Sequence, residues 1–164
     1  MIEAGKAGPR VIGLTGSIGM GKSTVAQIFD ELGVPTFNAD GEVHAMQGPG
    51  GSLVPAIEKA FPGTTGPDGV DRKQLAEIVF GDPAQLRKLE AIVHPAVRAA
   101  RRAFLDAKRD EKLIVFDIPL LFETGQAKDV DIVVVVSAPP EVQRERVLTR
   151  PDMTEERFEE ILRL

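Results

Sequence analysis

Apolar residues recur in two different rhythms along this 164-residue chain. Short apolar runs at Val11-Ile12-Gly13-Leu14, Leu113-Ile114-Val115-Phe116 and Val130 to Val136 have the length and branching of strands in a parallel sheet. The last of them is expected to be covered on both faces. Val34-Pro35-Thr36-Phe37 predicts another short strand, with its proline at the start or on an edge. Between these runs the spacing changes to that of helices. Val25, Ile28, Phe29 and Leu32 form an i, i+3, i+4, i+7 stripe, and Gly33 is placed to end that helix.

From Gly41 to Lys108 the pattern is helical and not strand-like, broken by glycine and proline at 48–51 and 62–69. Asp82-Pro83 predicts a cap followed by proline at the first helical position, with Leu86, Leu89, Ile92 and Val93 buried. Pro95 is expected to open a separate helix, with Val97, Ala100, Phe104 and Leu105 inward and Arg98, Arg101, Arg102 and Lys108 largely outward. Pro139-Pro140 precedes a helix carrying Arg144, Arg146 and Arg150. Thr154 is placed to cap a final helix with Phe158, Ile161 and Leu162 on its apolar face. The fold class that follows is α/β, a single domain with a parallel sheet flanked by helices. Its core spans 10–40 and 112–138, a helical insertion spans 41–108, and a helical lid spans 139–164.

Composition narrows the class. The chain has no cysteine, which excludes disulfides and thiolate metal sites and makes a reducing compartment, the cytoplasm, the default. The start, Met1 to Arg10, is glycine-rich with charges at Glu3, Lys6 and Arg10, and lacks the apolar core of a secretory signal. The longest apolar run, Ile132 to Val136, is far shorter than the roughly 20 residues of a membrane span. A net charge of −5 argues against a general nucleic-acid binder, and the absence of Trp and Tyr argues against a stacking platform for single strands.

The chemistry is announced between the first strand and the first helix. Gly16-Ser17-Ile18-Gly19-Met20-Gly21-Lys22-Ser23-Thr24 contains G-x-x-x-x-G-K-[ST], the phosphate-binding loop. Its glycines let backbone N–H groups turn inward on phosphate oxygens, Lys22 reaches the β and γ phosphates, and the Ser23 hydroxyl suits Mg²⁺. Strand, glycine loop and helix occur in the required order, so Gly16, Gly19, Met20, Gly21, Lys22, Ser23 and Thr24 are the candidate ATP-binding residues.

Ligands of open parallel sheets gather at the carboxyl ends of strands. Asp40, just past the second strand, is therefore a candidate for acting on a phosphoryl acceptor, and equally a candidate helix N-cap. Asp117 closes the third strand as a magnesium-supporting aspartate does in many phosphate-loop enzymes. Asp71-Arg72-Lys73, and His94-Pro95 with Arg98, are charged spots in the insertion, although isolated arginines are most often merely solvated. Arg144, Arg146 and Arg150 have the spacing of a basic segment that closes over a transferred phosphate.

Taken together, these stretches resemble the dephospho-coenzyme A kinase family. The resemblance rests on Leu14-Thr15-Gly16 through Thr24, Asn38-Ala39-Asp40, Asp71-Arg72 with Leu75 and Val79-Phe80, Leu89-Glu90 with His94-Pro95, Pro119-Leu120-Leu121-Phe122-Glu123, and Gln143 with Arg146 and Arg150. They follow family order over almost the whole length. The resemblance implies an enzyme that moves the γ-phosphoryl group of ATP, with magnesium, to the ribose 3′-hydroxyl of dephospho-coenzyme A. It implies Asp40 as the catalytic aspartate and Lys22 with the loop amides on the phosphates. Ser23 and Asp117 would serve the metal, Arg72, His94 and Arg98 the acceptor, and Arg146 and Arg150 the lid.

Two departures from the family pattern stand out. Asn38 replaces the first acid of the common Asp-Ala-Asp, removing a negative charge that would raise the pKa of its neighbour. Relatives also continue past the equivalent of Arg163-Leu164 with a further strand and helix, so this chain is expected to be truncated and to expose a sheet edge. Another phosphate-loop kinase, acting on a nucleoside monophosphate or shikimate, is the alternative that the insertion weighs against. A second alternative is a nucleotide-binding switch or non-catalytic ATP-binding module without acceptor chemistry; a GTP switch would carry N-K-x-D, which is absent. The D-x-x-G at Asp30 to Gly33 lies at a helix end where it cannot read a γ phosphate.

Overall fold

The computed structural model describes residues 8–119, 121 and 125–163. In chain order its elements are β1 (Arg10–Thr15), α1 (Lys22–Glu31), β2 (Thr36–Asn38), α2 (Ala39–Gln47), α3 (Val54–Ala60), β3 (Thr65–Gly66), β4 (Gly69–Val70), α4 (Arg72–Val79), α5 (Pro83–Ala107), β5 (Leu113–Asp117), a 3-10 turn (Gln126–Asp129), β6 (Ile132–Val135), α6 (Pro140–Leu148) and α7 (Glu155–Leu162). They divide into two compact units, one formed by residues up to Phe37 and from Asp110 onward, the other by Asn38–Arg109. Among the described residues no helix is long and apolar enough to cross a membrane.

The first unit is built on a sheet of order β2-β5-β1-β6, in which β1 pairs in parallel with both β5 and β6. Successive side chains of β1 face opposite ways. Ile12 and Leu14, with Val115 of β5, meet Val25, Ala26 and Phe29 of α1. The opposite face is closely packed at Gly13, where a Cβ would stand 3.0 Å from a methyl of Val130 and 3.3 Å from Leu121. Phe37 and Phe116 meet edge to face with ring centroids 5.8 Å apart. Each such fully buried side chain contributes about 1.5–3 kcal/mol, and the strand register they hold carries the chain ends of β1 and β5 to one rim, with Leu14 opposite Asp117.

Two expectations about this sheet fail. The α1 stripe is only partly used: Val25 and Phe29 turn inward, but Ile28 and Leu32 are 48% and 73% exposed. Ala26, small enough for close approach, takes the sheet-facing position that the periodicity assigned to its larger neighbours. β6 is not covered on both faces: at the edge of the sheet, with β1 as its one strand neighbour, it leaves Ile132, Val133 and Val135 exposed among the described residues. Leu162 of α7 is likewise half exposed, whereas Phe158 is buried as expected.

The second unit has its own core. Leu53, Ile57, Phe61, Val70 and Leu75 are buried together, with Leu89, Ile92, Val93 and Ala96 of α5 packed against them. α5 corrects the expectation that Pro95 starts a new helix, since one 25-residue helix runs through it. Proline lacks the N–H that would bond back one turn. Inward residues on both sides of it, Ile92, Val93 and Ala96, contact the same core, and that shared burial keeps the helix continuous. Leu86, expected in this face, is 45% exposed. Asp82 caps α5 through hydrogen bonds from Ala84 and Gln85 N–H groups, as its sequence position predicts.

The insertion is also not wholly helical. β3 and β4 form a two-residue antiparallel pair in the 62–69 break, closed by Pro67-Asp68. Gly69, at φ +93°, is held so close to Gln47 that a Cβ would lie 2.2 Å from its carbonyl oxygen, a position only glycine fills. Glu58 of α3 fastens the hairpin by accepting hydrogen bonds from Gly63 N at 2.9 Å and Thr65 Oγ1 at 2.7 Å.

Those bonds, led by the one from Gly63, hold the Glu58 carboxyl below its ordinary pKa. A depressed carboxyl adds stability above the unfolded-state pKa and loses it as the pH falls through the folded-state value. Glu58→Gln is therefore expected to be less stable than the wild type near neutrality, with the difference shrinking in acid. Urea titrations of both proteins between about pH 7 and pH 3 check this; a constant difference would be the contrary result.

Candidate active site

The loop between β1 and α1 wraps the start of that helix. Gly19 and Gly21 have φ +73° and +97°, and Gly21 is the N-cap without a side chain to satisfy the first-turn N–H groups. Thr24 N turns back to Gly21 O at 3.1 Å, and the N–H groups ahead of it, with the positive end of the helix dipole, are left for an anion. Met20 N donates to Ser17 O at 3.2 Å, tightening the turn, and Ala138 N lies 3.0 Å from Met20 Sδ. A Cβ on Gly16 would come within 2.7 Å of the Val136 carbonyl oxygen, so the loop starts against the segment leaving β6.

A cleft of about 850 Å³ opens over the loop, lined by Gly19, Lys22, Ser23, Thr24, Arg146 and Arg150 among others. Lys22 Nζ is ion-paired with Asp117 Oδ1, both side chains being largely buried. The pairing follows from topology: β5 lies beside β1, and its last residue reaches the rim where α1 begins. Ser23 and Thr24 are exposed beside it.

The helix α6 packs directly against the loop at Gly19 and carries Arg146 to the same cleft. Gln143 Nε2 donates to Ile18 O at 2.8 Å, and Arg146 Nη1 lies 3.5 Å from Gly19 O. Arg150 follows the last turn of α6 and also lines the cleft. Arg144, which the spacing grouped with these two, is ion-paired with Glu155 of α7. Gln143 was part of the motif, but its hold on the loop was not legible, because that bond joins residues 125 positions apart.

The other sequence candidates belong to the second unit. Asp40 is exposed at the second position of α2 and does not cap it; Asn38 does, accepting from Gly41 N at 2.9 Å. Of the two readings of Asp40, the cap is thus excluded. Arg72 is the first residue of α4, behind its cap Asp71, and its Nη1 stands 2.6 Å from His44 Nδ1. His44 was missed by the sequence reading, although it follows Asp40 by four residues on α2, the spacing of one helix face. His94 and Arg98 are exposed one turn apart within α5, not at a helix start. Of the Pro119 to Glu123 motif, Leu121 is buried and Pro119 exposed, whereas Leu120, Phe122 and Glu123 lie outside the described residues, as does the leader from Met1 to Ala7.

The family model for dephospho-CoA kinase matches residues 10–164. The chain belongs to the dephospho-CoA kinase family. A dephospho-CoA kinase of Novosphingobium aromaticivorans is 64% identical over 156 residues, 95% of this chain and 78% of that one. The Agrobacterium fabrum dephospho-CoA kinase is 54% identical over 154 residues, 93% of this chain and 78% of its own. Among solved structures, a crystal structure from Thermus thermophilus superposes with a TM-score of 0.79 at 35% identity, covering 95% of this chain and 78% of that one. A dephospho-CoA kinase from Campylobacter jejuni gives 0.63 at 26% identity, covering 94% and 79%.

In this dephospho-CoA kinase family member the phosphate loop leaves little space for added atoms. A Cβ at Gly19 would lie 2.5 Å from Val147 Cγ2 and 3.1 Å from Gln143 O, besides forcing a left-handed φ on alanine. Gly19→Ala is expected to lower stability by about 1–3 kcal/mol and to weaken MgATP at least about tenfold. Denaturant titration and nucleotide binding by calorimetry check both, with unchanged affinity the opposing outcome.

Proposed function

We propose that this chain transfers the γ-phosphoryl group of ATP to the ribose 3′-hydroxyl of dephospho-coenzyme A, giving coenzyme A and ADP. The observation that carries the reading is the paired cationic wall over an uncapped helix start: Lys22 on one side and Arg146 with Arg150 on the other, in one cleft. Its family membership selects the acceptor.

Phosphoryl transfer asks the protein for position and charge more than for covalent help. The loop N–H groups receive the phosphate oxygens, and Lys22 exchanges Asp117 for the β and γ phosphates. Arg146 and Arg150 neutralise charge that spreads over the moving group. Asp40 orients the acceptor hydroxyl and takes its proton as the 3′-oxygen bonds to the γ phosphorus and the bond from that phosphorus to ADP breaks. Arg72, held by His44, and His94 with Arg98 meet the acceptor's anionic groups. An acceptor carrying a diphosphate suits such cations.

Magnesium fits this donor set. No group of three or more His, Asp or Glu among the described residues could hold a metal alone, and Mg²⁺ commonly relies on substrate phosphates with only one or two protein ligands. Ser23 would hold it and Asp117 would support it, with the ion supplying charge neutralisation to the phosphates when bound. The cysteine-free composition supports the cytoplasm as the place of reaction.

A coupled assay offering dephospho-coenzyme A beside AMP, CMP, GMP and shikimate tests the acceptor; preference for any of the last four would overturn the assignment. Lys22→Ala is expected to lower kcat/KM at least about 100-fold. Asp40→Asn is expected to lower kcat by about 10²–10⁴ while the KM for ATP stays within about threefold. Near wild-type kcat in the asparagine variant would remove Asp40 from proton transfer.

A further inference from the structure

One polar side chain at the phosphate loop is deeply buried and has no part in the reaction as set out. Gln143 is 5% exposed on the inner face of α6. Buried side-chain amides need partners, and its Nε2 donates to the Ile18 carbonyl at 2.8 Å. The residues around it make that contact hard to shift. Val147, one turn on and fully buried, presses on Gly19, and the Gln143 carbonyl would lie 3.1 Å from any Cβ there. Arg146, between them on the helix, approaches the next carbonyl, Gly19 O.

The bond has a geometric consequence. In a trans peptide the C=O of one residue and the N–H of the next point in opposite directions across one plane, and no cis bond occurs among the described residues. With Ile18 O drawn to α6, the Gly19 N–H is turned away from α6. Gly19 itself lines the cleft. A glycine-rich loop has little intrinsic preference for this orientation over its reverse, since glycine spans both signs of φ.

We infer that Gln143 is a positioning residue for the phosphate loop: its side-chain amide fixes the Ile18–Gly19 peptide so that the Gly19 N–H faces the nucleotide phosphates. It touches no reacting atom and acts through the loop. The inference rests on reading the loop as the ATP site. It also gives α6 a second task, since the helix that carries Arg146 and leads into Arg150 sets the shape of the loop opposite them.

Gln143→Met keeps the stem and loses the donor, and Gln143→Leu does the same with a smaller side chain should the first fail to fold. Either is expected to raise the Kd of MgATP and of MgADP, measured by calorimetry, about tenfold, the scale of losing one buried hydrogen bond. The KM for dephospho-coenzyme A should stay within about twofold, and kcat at saturating ATP within about threefold. Gln143→His, whose Nε2–H replaces the lost donor, should recover nucleotide affinity to within about threefold of wild type. Phe158→Leu, in the buried core beneath α7, serves as a stability control and should leave both Kd values unchanged even where its Tm falls as far.

Wild-type nucleotide affinity in the donor-less variants, no recovery with histidine, or equal weakening in Phe158→Leu would each overturn the positioning role. Lys22→Ala separates the two levels. If it leaves nucleotide affinity intact, the loop is not the ATP site and the underlying reading fails. If it abolishes binding while Gln143→Met binds normally, the inference about Gln143 alone fails.

Discussion

A phosphate-binding loop is organised by a deficit. The start of α1 presents N–H groups that its cap, Gly21, has no side chain to satisfy, and such donors are costly unless water or a ligand takes them. A loop in this condition holds its shape only in part through its own hydrogen bonds, such as that from Met20 N to Ser17 O. It must be held from outside, and the rest of the first unit does so. β1 delivers the chain between β5 and β6, the Val136 carbonyl closes on Gly16, and α6 receives the loop carbonyls while leaving the N–H side open. Asp117 supplies a carboxylate for Lys22, so the principal cation is kept at the rim rather than dispersed into solvent.

The second unit follows a different physical plan. Its core is a small cluster of aliphatic side chains and Phe61, and much of its specificity comes from short-range polar fastenings: Glu58 on the hairpin, Asn38, Asp71 and Asp82 at three helix starts, and Lys88 over the Phe61 ring at 4.9 Å. The arrangement leaves Asp40, His94 and Arg98 exposed on helices whose ends or buried faces are secured by other residues. Asn38 is instructive. The substitution that removed an acid from the motif provides the cap, which leaves Asp40 without that structural duty.

Local chemistry was readable wherever one residue does its work within about one turn. The caps at Asp82 and Thr154 and the stop at Gly33 were all evident from neighbouring letters. Readings failed where distant packing decided the matter. Pro95 looks like a boundary, yet helix packing on both sides of it overrides the lost hydrogen bond. Ile28 and Leu32 complete a helical stripe that the sheet does not use, and Val133 looks interior in a strand that has one neighbour. Arg144, Arg146 and Arg150 share a spacing, but a partner on α7 takes the first of them away from the cleft.

The amino-acid sequence by itself determined the phosphate loop, the alternation of strand and helix, the family, and the identity of most side chains offered for chemistry, because glycine freedom, caps and periodicity are properties of neighbouring residues. Only the tertiary structure decided that Lys22 meets Asp117, that His44 holds Arg72, and that Gln143 grips the loop at Ile18. Each of these joins positions between 28 and 125 residues apart. No local rule links such residues; strand order and helix packing bring them within reach.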